Sequence, residues 1–373
     1  MTTLWDTTGS AVVKELAAQR RTGGAVLSGV ALTLVVVADE NRVAEAEEAA
    51  TAAAEQHPCR LLIVVRRQIE APAPRLDAEV LIGGRLGPGE AVVMRMYGRL
   101  ALHAESVVLP LLAADAPVVT WWHGTPPDQL CTDALAVIAD RRITDSSMAE
   151  DQFAALRARA EDYAPGDTDL AWTRSTPWRS TLTSSVDAVS GRRGEAVRVL
   201  GGRVEGDPGS ATALLLAGWL SARCGCEIPV VSGEKRPGPS GVSAVALDLD
   251  QDEQVRVQAD RRGGAVISQP YRPEAMVALP DRQLGDLIGE ELRRLDPDEP
   301  FAEALESTTG IPDLAYRSPV REYVWFDPAE ENAGSGGATL PAVPPDSEGT
   351  DDVAQQGVDD PDQGARDAGQ TVP

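Results

Sequence analysis

Cysteine, histidine and the smaller aromatics are all scarce in this chain, and each shortage closes off a class of function. Four cysteines, at positions 59, 131, 224 and 226, are too few for a disulfide-stapled scaffold. Only Cys224 and Cys226 lie close, as Cys-Gly-Cys, and no Cys-x-x-Cys pair or neighbouring His completes a zinc set. The thiols read as structural. No long hydrophobic run is present either. The best, residues 26–38, is broken by Ser28, Gly29 and Thr33 and falls short of the roughly 20 residues that cross a bilayer. The first ten residues lack the basic start and apolar core of an export signal, so a cytoplasmic location with no membrane partner is expected. A formal charge of −24 repels phosphate backbones, which excludes a general nucleic-acid partner.

What is there is ordinary globular composition, 43% hydrophobic and 25% charged, over 373 residues, enough for two domains with their own cores. The charge is uneven. From Pro328 onward ten acids face a single base, Arg366, so this tail carries −9 of the total. Rich in Gly, Pro, Ala and Asp, residues 328–373 cannot bury enough surface to offset their ordering entropy and read as a disordered, solubilising appendage.

Residues 1–147 alternate strand-like and helix-like stretches. Segments 26–38, 61–65, 77–82, 91–97, 117–122 and 141–144 read as strands. Asn41 reads as the cap of a helix with Val43, Ala46, Ala50, Ala53 and Ala54 on one face, stopping at His57-Pro58. Further helices are expected over 100–113 and, capped by Thr125, up to about Ala139. The fold class is α/β: an N-terminal domain whose mostly parallel sheet is flanked by helices. Residues 148–190 form a helical, Trp/Arg-rich connecting segment. It comprises a helix over 148–163, with Phe153, Leu156, Ala160 and Tyr163 at helical spacing, then, after the break at 164–166, a second starting in the 167–169 region and running through Trp172 and Trp178. Ser190 to Gly194 read as a linker. Residues 195–327 read as a smaller mixed α+β C-terminal domain. Its strands are 196–200, 230–231, 242–249, 254–259 and 265–268, the last three an antiparallel meander. A helix is expected over 210–223, and Leu284, Leu287, Ile288, Leu292 and Leu295 form the stripe of a late one.

Catalytic and cofactor signals are weak. The glycine-rich stretch 201–209 falls between a strand and a helix, yet it matches neither Gly-x-Gly-x-x-Gly nor the Walker pattern, and it reads as a turn. The stretch 83–89 sits between strands, the wrong context for a phosphate loop. His57 reads as a helix-end residue and His103 as lying at a core edge. His123 would emerge at the carboxyl end of a parallel strand, where ligands gather in open sheets, but no local nucleophile motif accompanies it. No catalytic residue, cofactor or metal is expected. Tryptophan, by contrast, is plentiful: seven against five Tyr and three Phe. Four fall at 121, 122, 172 and 178, interleaved with Arg174 and Arg179, and Trp with Arg is the composition of interface hot spots. Internal packing of the helices is the equally balanced alternative.

The stretch Pro117-Val118-Val119-Thr120-Trp121-Trp122-His123-Gly124 with Pro126-Pro127, and Asp167-Thr168-Asp169-Leu170-Ala171-Trp172-Thr173-Arg174 with Trp178-Arg179, resemble the actinobacterial OpcA family of glucose-6-phosphate dehydrogenase assembly proteins. Leu4-Trp5 and segment 24–38 resemble the start of that family, and the likeness runs to about residue 325. It implies a non-enzymatic protein that binds glucose-6-phosphate dehydrogenase in the oxidative pentose phosphate pathway and supports its assembly or allosteric activation. Some photosynthetic relatives are under redox control, but none of the four cysteines here matches such a role. Within that reading, the expected partner-binding residues are Trp121, Trp122, His123, Asp169, Trp172, Arg174, Trp178 and Arg179. The alternative is an enzyme or sensor that binds a sugar phosphate or nucleotide at the carboxyl edge of the first sheet, through Trp122, His123 and the helix starting at Thr125.

Overall fold

Continuous apolar runs in the first half of the chain and alternating ones in the second build two different β-sheets. The computed structural model describes residues 1–22, 30–83, 89–234, 240–260 and 262–324. Eight strands make the first sheet: β1 (Thr2–Leu4), β2 (Leu32–Ala38), β3 (Cys59–Arg67), β4 (Arg75–Ile82), β5 (Glu90–Tyr97), β6 (Val118–His123), β7 (Arg141–Thr144) and β8 (Asp167–Asp169). Every residue of β2, and Cys59 to Val65 of β3, is buried, as expected for strands covered on both faces. The spatial order is β1-β4-β5-β3-β2-β6-β7-β8. From β5 through β8 all neighbours are parallel, and β4 and β1 add antiparallel strands at one edge. Counted along the chain, the six parallel strands stand in the order 3-2-1-4-5-6, that of doubly wound dinucleotide-binding sheets. The winding reverses between β2 and β6.

Alternation sends neighbouring residues to opposite faces of this sheet. Val36, Ile63, Val93 and Trp121 point into one core, under α2 (Val43–Gln56). Val35, Leu62, Val92 and Trp122 point into the other, with α1 (Gly9–Thr22), α3 (Arg99–Leu102), α4 (Glu105–Val108) and α5 (Ala134–Val137) on that side. After β7 the chain forms α6 (Gln152–Glu161), returns for β8, then makes α7 (Leu170–Arg174) and α8 (Thr176–Arg193).

The second sheet holds β9 (Val199–Gly206), β10 (Val230–Ser232), β11 (Val242–Leu249), β12 (Gln254–Ala259), β13 (Gly264–Ser268) and β14 (Ala275–Ala278), in the order β10-β9-β11-β12-β13-β14. All pairs but β9–β10 are antiparallel. Its inner residues, among them Val245, Leu247, Val255 and Val257, pack on Leu182 of α8 and on Leu216 and Leu220 of α9 (Ala211–Cys224). Its outer side carries an ion cluster in which Arg256 grips Glu205 with two bonds, of 2.7 and 2.8 Å, and Arg203 adds a third of 2.9 Å. Two later helices tie the layers together. Leu287 and Ile288 of α10 (Leu284–Glu291) enter the core under α2, and α11 (Glu299–Thr309) lies on α9.

Several expected boundaries move, each for a local reason. The helix expected over 100–113 is broken into α3, α4 and a 3-10 turn, Leu109–Leu111, that accommodates Pro110. The helix expected from Thr125 shrinks to a 3-10 turn, Leu130–Thr132, and α5. Residues preceding proline avoid helical angles, and the cap is Asp133, whose carboxylate accepts from the Leu135 N–H. Asn41 caps nothing; it sits in the 3-10 turn Glu40–Arg42 ahead of α2. Phe153 lies on the outer side of α6 and is exposed. The expected linker at 190–194 is the last turn of α8, closed by Gly194 at φ +76° and anchored by Arg193 to Asp250 and Glu253. Gly201, Gly202 and Gly206 belong to β9 rather than to a turn. A Cβ on Gly206 would stand 3.1 Å from the Val242 Cα, so glycine permits the close strand approach. Residues 167–169, expected to open a helix, are instead the edge strand β8, and the helix starts only after Asp169, whose carboxylate caps α7; strand β14 and helix α11 carried too little pattern to be expected. Residues 26–29 of the first expected strand, 84–88 of the second glycine stretch and the acidic tail lie outside the described residues.

Gly218 lies where α9 meets α11, and a Cβ there would stand 2.5 Å from the Ala304 carbonyl oxygen. Gly218→Val is therefore expected to cost about 1–3 kcal/mol by overpacking, read as a lower midpoint in urea; an unchanged midpoint would refute this crossing. The Arg256 hydrogen bonds hold Glu205 below its ordinary value of 4.5. That contribution is complete above the unfolded value and drains away as pH falls through the lower folded one. Arg256→Met should thus lower Tm at pH 7 and converge on the parent as pH falls through the lowered folded value of Glu205. A gap that persists below that value counts against the ion pair.

Candidate functional site

The eight residues singled out in the sequence fall into two groups, one on β6 and one around β8, α7 and α8. On β6, Trp121 pairs in register with Val36, Trp122 with Val37 and His123 with Ala38, so all three lie in the middle of the sheet. Their exposures are 0%, 1% and 1%. The indole N–H groups of Trp121 and Trp122 meet no hydrogen-bond acceptor, so these rings act as apolar bulk. His123 stacks beside Trp121 with ring centroids 4.9 Å apart, and its Nε2 lies 3.0 Å from Glu45 Oε2 of α2. Its Nδ1 is buried without a partner.

The second group begins with Asp169, which is wholly buried. Its carboxylate accepts from Ser146 N at 3.0 Å, Ser146 Oγ at 2.7 Å, Thr144 Oγ1 at 2.9 Å and Ala171 N at 2.9 Å, the last capping α7. Burial and the neighbouring Asp145 charge push the Asp169 carboxyl upward, while these hydrogen bonds pull it back. Arg174 grips Asp145 in a bidentate pair of 2.7 and 2.6 Å. Burial weakens the proton affinity of Arg174, but the Asp145 bonds more than offset that and leave it raised. Trp172 donates from Nε1 to Asp298 Oδ2 at 2.8 Å, and the guanidinium of Arg179 stacks on its ring 3.5 Å from the centroid. Burial pushes Arg179 down to about 10. Trp178 is buried among Leu182 and the second sheet.

Trp172 and Arg179 thus come together, as do Asp169 and Arg174 around the Asp145–Ser146 turn. The β6 trio stands apart from both. All four indoles, His123 and Asp169 are interior, and only Arg174 and Arg179 keep part of their surface. Among the described residues no group of three or more metal-ligating side chains is assembled, and no helix is long and apolar enough to cross a membrane.

Residues 50–161 match the family model described as the glucose-6-phosphate dehydrogenase subunit N-terminal domain, and residues 165–305 match that of the C-terminal domain. The chain belongs to the OpcA family. The two matches meet between α6 and β8, so the C-terminal family segment opens with the edge strand of the first sheet. No curated protein matches the chain. Among solved structures, an oxidoreductase from Sinorhizobium meliloti is 10% identical with a TM-score of 0.36, over 79% of this chain and 99% of that one. So distant a likeness carries no argument about this OpcA chain.

The switch point between β2 and β6, where dinucleotides bind in sheets of this order, is differently built here. The turn after β2 reads Asp39-Glu40-Asn41-Arg42, without glycine. Across it Gly124 adopts φ +149°, and a Cβ there would lie 2.8 Å from the carboxyl carbon of Asp39. The adjoining cleft of about 330 Å³ presents Asp39, Asp128, Asp145 and Glu150 against Arg42 and Arg159. An acidic majority without a glycine-rich turn does not cradle a pyrophosphate.

Sequence reasoning missed the partners that hold the motifs. Arg141 of β7 pairs with Glu291 of α10, which also accepts from Thr173 Oγ1 at 2.6 Å. Arg142 pairs with Asp167, and Arg321 reaches the same carboxylate. Two consecutive arginines in a predicted strand were the available signal, because a fully covered strand tolerates them only if both are paired. Trp172→Ala is expected to cost about 3–5 kcal/mol in urea titration, and Trp172→Phe, which keeps an aromatic face but loses the bond to Asp298 and some ring volume, about 1–3 kcal/mol. A loss below about 1 kcal/mol for the alanine variant would mean the indole is not an internal brace.

Proposed function

We propose that this chain is a non-catalytic subunit that binds glucose-6-phosphate dehydrogenase in the cytoplasm, with the Trp/Arg segment bracing the contact surface from within. The observation that carries this reading is the pair of family matches across 50–161 and 165–305, to the N- and C-terminal domains of a subunit of that enzyme. Two structural facts support the non-catalytic part. His123, the best general-base candidate of the sequence, is sealed inside the sheet with Glu45 at Nε2. The carboxyl edge of the sheet is acidic and lacks a phosphate turn, which weighs against a nucleotide or sugar-phosphate enzyme there.

Because the indoles face inward, the direct contact is assigned to side chains they support. Segment 311–324 crosses the end of the first sheet as a strap. Leu314 is buried beneath it, Arg317 donates to the carbonyls of Ala160 and Glu161 at 2.8 and 3.1 Å, and Arg321 pairs with Asp162 and Asp167. Outward it shows Tyr316, 88% exposed, and Val320, 74% exposed, with Tyr323 and Val324 beside them. Exposed apolar side chains gathered on a braced segment mark a protein contact.

Mixing the chain with its cognate dehydrogenase should yield a co-eluting complex in size-exclusion chromatography. Tyr316→Ala/Tyr323→Ala should weaken that complex at least about tenfold while leaving the chain's own Tm unchanged. Failure of the parent chain to co-elute at micromolar concentration would sink the function; full binding by the double variant would sink the strap alone.

A further inference from the structure

A second cleft, of about 580 Å³, lies between α8, α9 and the segment joining α10 to α11. Its α8 wall is a polar stripe at helical spacing, namely Thr176, Arg179, Ser180, Thr183 and Ser184, near the N-terminal end of an 18-residue helix. The opposite wall supplies Arg293 and Arg294, and Trp219 of α9 contributes an indole.

The acids in this cleft are already engaged. Glu291 holds Arg141 and Thr173, Glu290 holds Arg282 and Thr176, and Asp298 holds the Trp172 N–H and caps α11. The free cations are not. Arg179 is fixed flat on Trp172 by bonds of 2.9 Å to Ser175 Oγ and Thr176 Oγ1, two uncharged acceptors. Among the described residues it meets no carboxylate within ion-pair distance, and Arg293 and Arg294 likewise form no ion pair. Asp298, Glu290 and Glu291 favour the Arg179 charge from a distance, and Arg294 disfavours it less strongly. A rigid guanidinium that no carboxylate bonds directly, in a cleft also lined by Arg293 and Arg294, whose nearby acids are held by other groups, is arranged for an anion that binds through several oxygens.

We propose that this cleft binds a phosphorylated sugar, its phosphate held by Arg179, Arg293 and Arg294 and its hydroxyls by the Ser/Thr stripe of α8. The N-terminal half of α8 adds its dipole to the attraction. The volume is within the range of small-molecule sites and well above the need of a bare phosphate ion. Serine and threonine hydroxyls both donate to and accept from a polyol, and the face of Trp219 suits the apolar face of a sugar ring. The site lies on the free chain, apart from the strap assigned to the dehydrogenase.

Isothermal titration of the full chain with glucose 6-phosphate, inorganic phosphate and glucose tests this without the dehydrogenase, so its outcome is independent of partner binding. Glucose 6-phosphate is expected to bind and to raise Tm, more tightly than inorganic phosphate, with glucose giving no heat. Arg293→Ala/Arg294→Ala changes only exposed, unpaired side chains; it should fold as the parent does and weaken glucose 6-phosphate at least about tenfold. Arg179→Met should do the same, with its fold checked by circular dichroism. Absence of binding by the parent chain, equal affinity for inorganic phosphate, or undiminished binding by the Arg293/Arg294 double variant would each overturn the proposal.

Discussion

The run from Asp169 to Trp178 enters three cores in ten residues, and the arrangement of both sheets depends on it. Leu170 joins the core under α2, Trp172 the cluster around Phe301 of α11, and Trp178 the core of the second sheet. The run leaves directly from β8, the edge strand of the first sheet, and passes into the helix that covers the second. Asp169 makes that exit possible. A carboxylate accepting from three side-chain or backbone groups of β7 and its turn, and from the first turn of α7, fixes both the strand register and the start of the helix. A buried charge is tolerated only when its lone pairs are taken up in this way.

Arginine does much of the joining between elements. Arg141, Arg142, Arg174 and Arg321 are each buried or nearly so, and each meets a carboxylate from a distant part of the chain. Such pairs contribute little net stability against apolar replacements, because desolvation offsets much of the Coulomb gain. Removing one partner is far more costly, so they act as constraints on which packing is allowed. Arg179 departs from this pattern. It is as firmly placed as the others, by an indole and two hydroxyls, yet no carboxylate bonds it directly, and Asp298, Glu290 and Glu291 favour its charge only from a distance. That difference separates a structural arginine from one available to a ligand.

The legible parts of the fold were those in which local pattern and final environment agree. The apolar runs 34–38 of β2 and 61–65 of β3 announced burial on both faces, and the alternation in β11 to β13 announced a sheet with one open face. Ser210 before a dense apolar run marked the start of α9. Legibility failed where a local signal had two readings. Gly201, Gly202 and Gly206 look like a turn, but they are the residues that let β9 lie close to β11. Ser190 to Gly194 look like a linker, but Arg193 finds two carboxylates and the helix continues. The 125–139 stretch had a good cap and a good first-turn proline, yet the second proline and the stronger Asp133 cap shortened the helix to one turn.

For the candidate site the division is sharper. Composition alone identified tryptophan and arginine as the informative residues, and the two motifs placed the chain in its family, because both are properties of the linear order. Whether an indole is a contact or a brace is decided by what stands opposite it, and only the tertiary structure brings Asp298 to Trp172 or β2 to Trp121. The same holds for charge: the sequence counts arginines and acids, whereas burial and distance determine which acids are already bonded to an arginine and which guanidinium no carboxylate bonds directly.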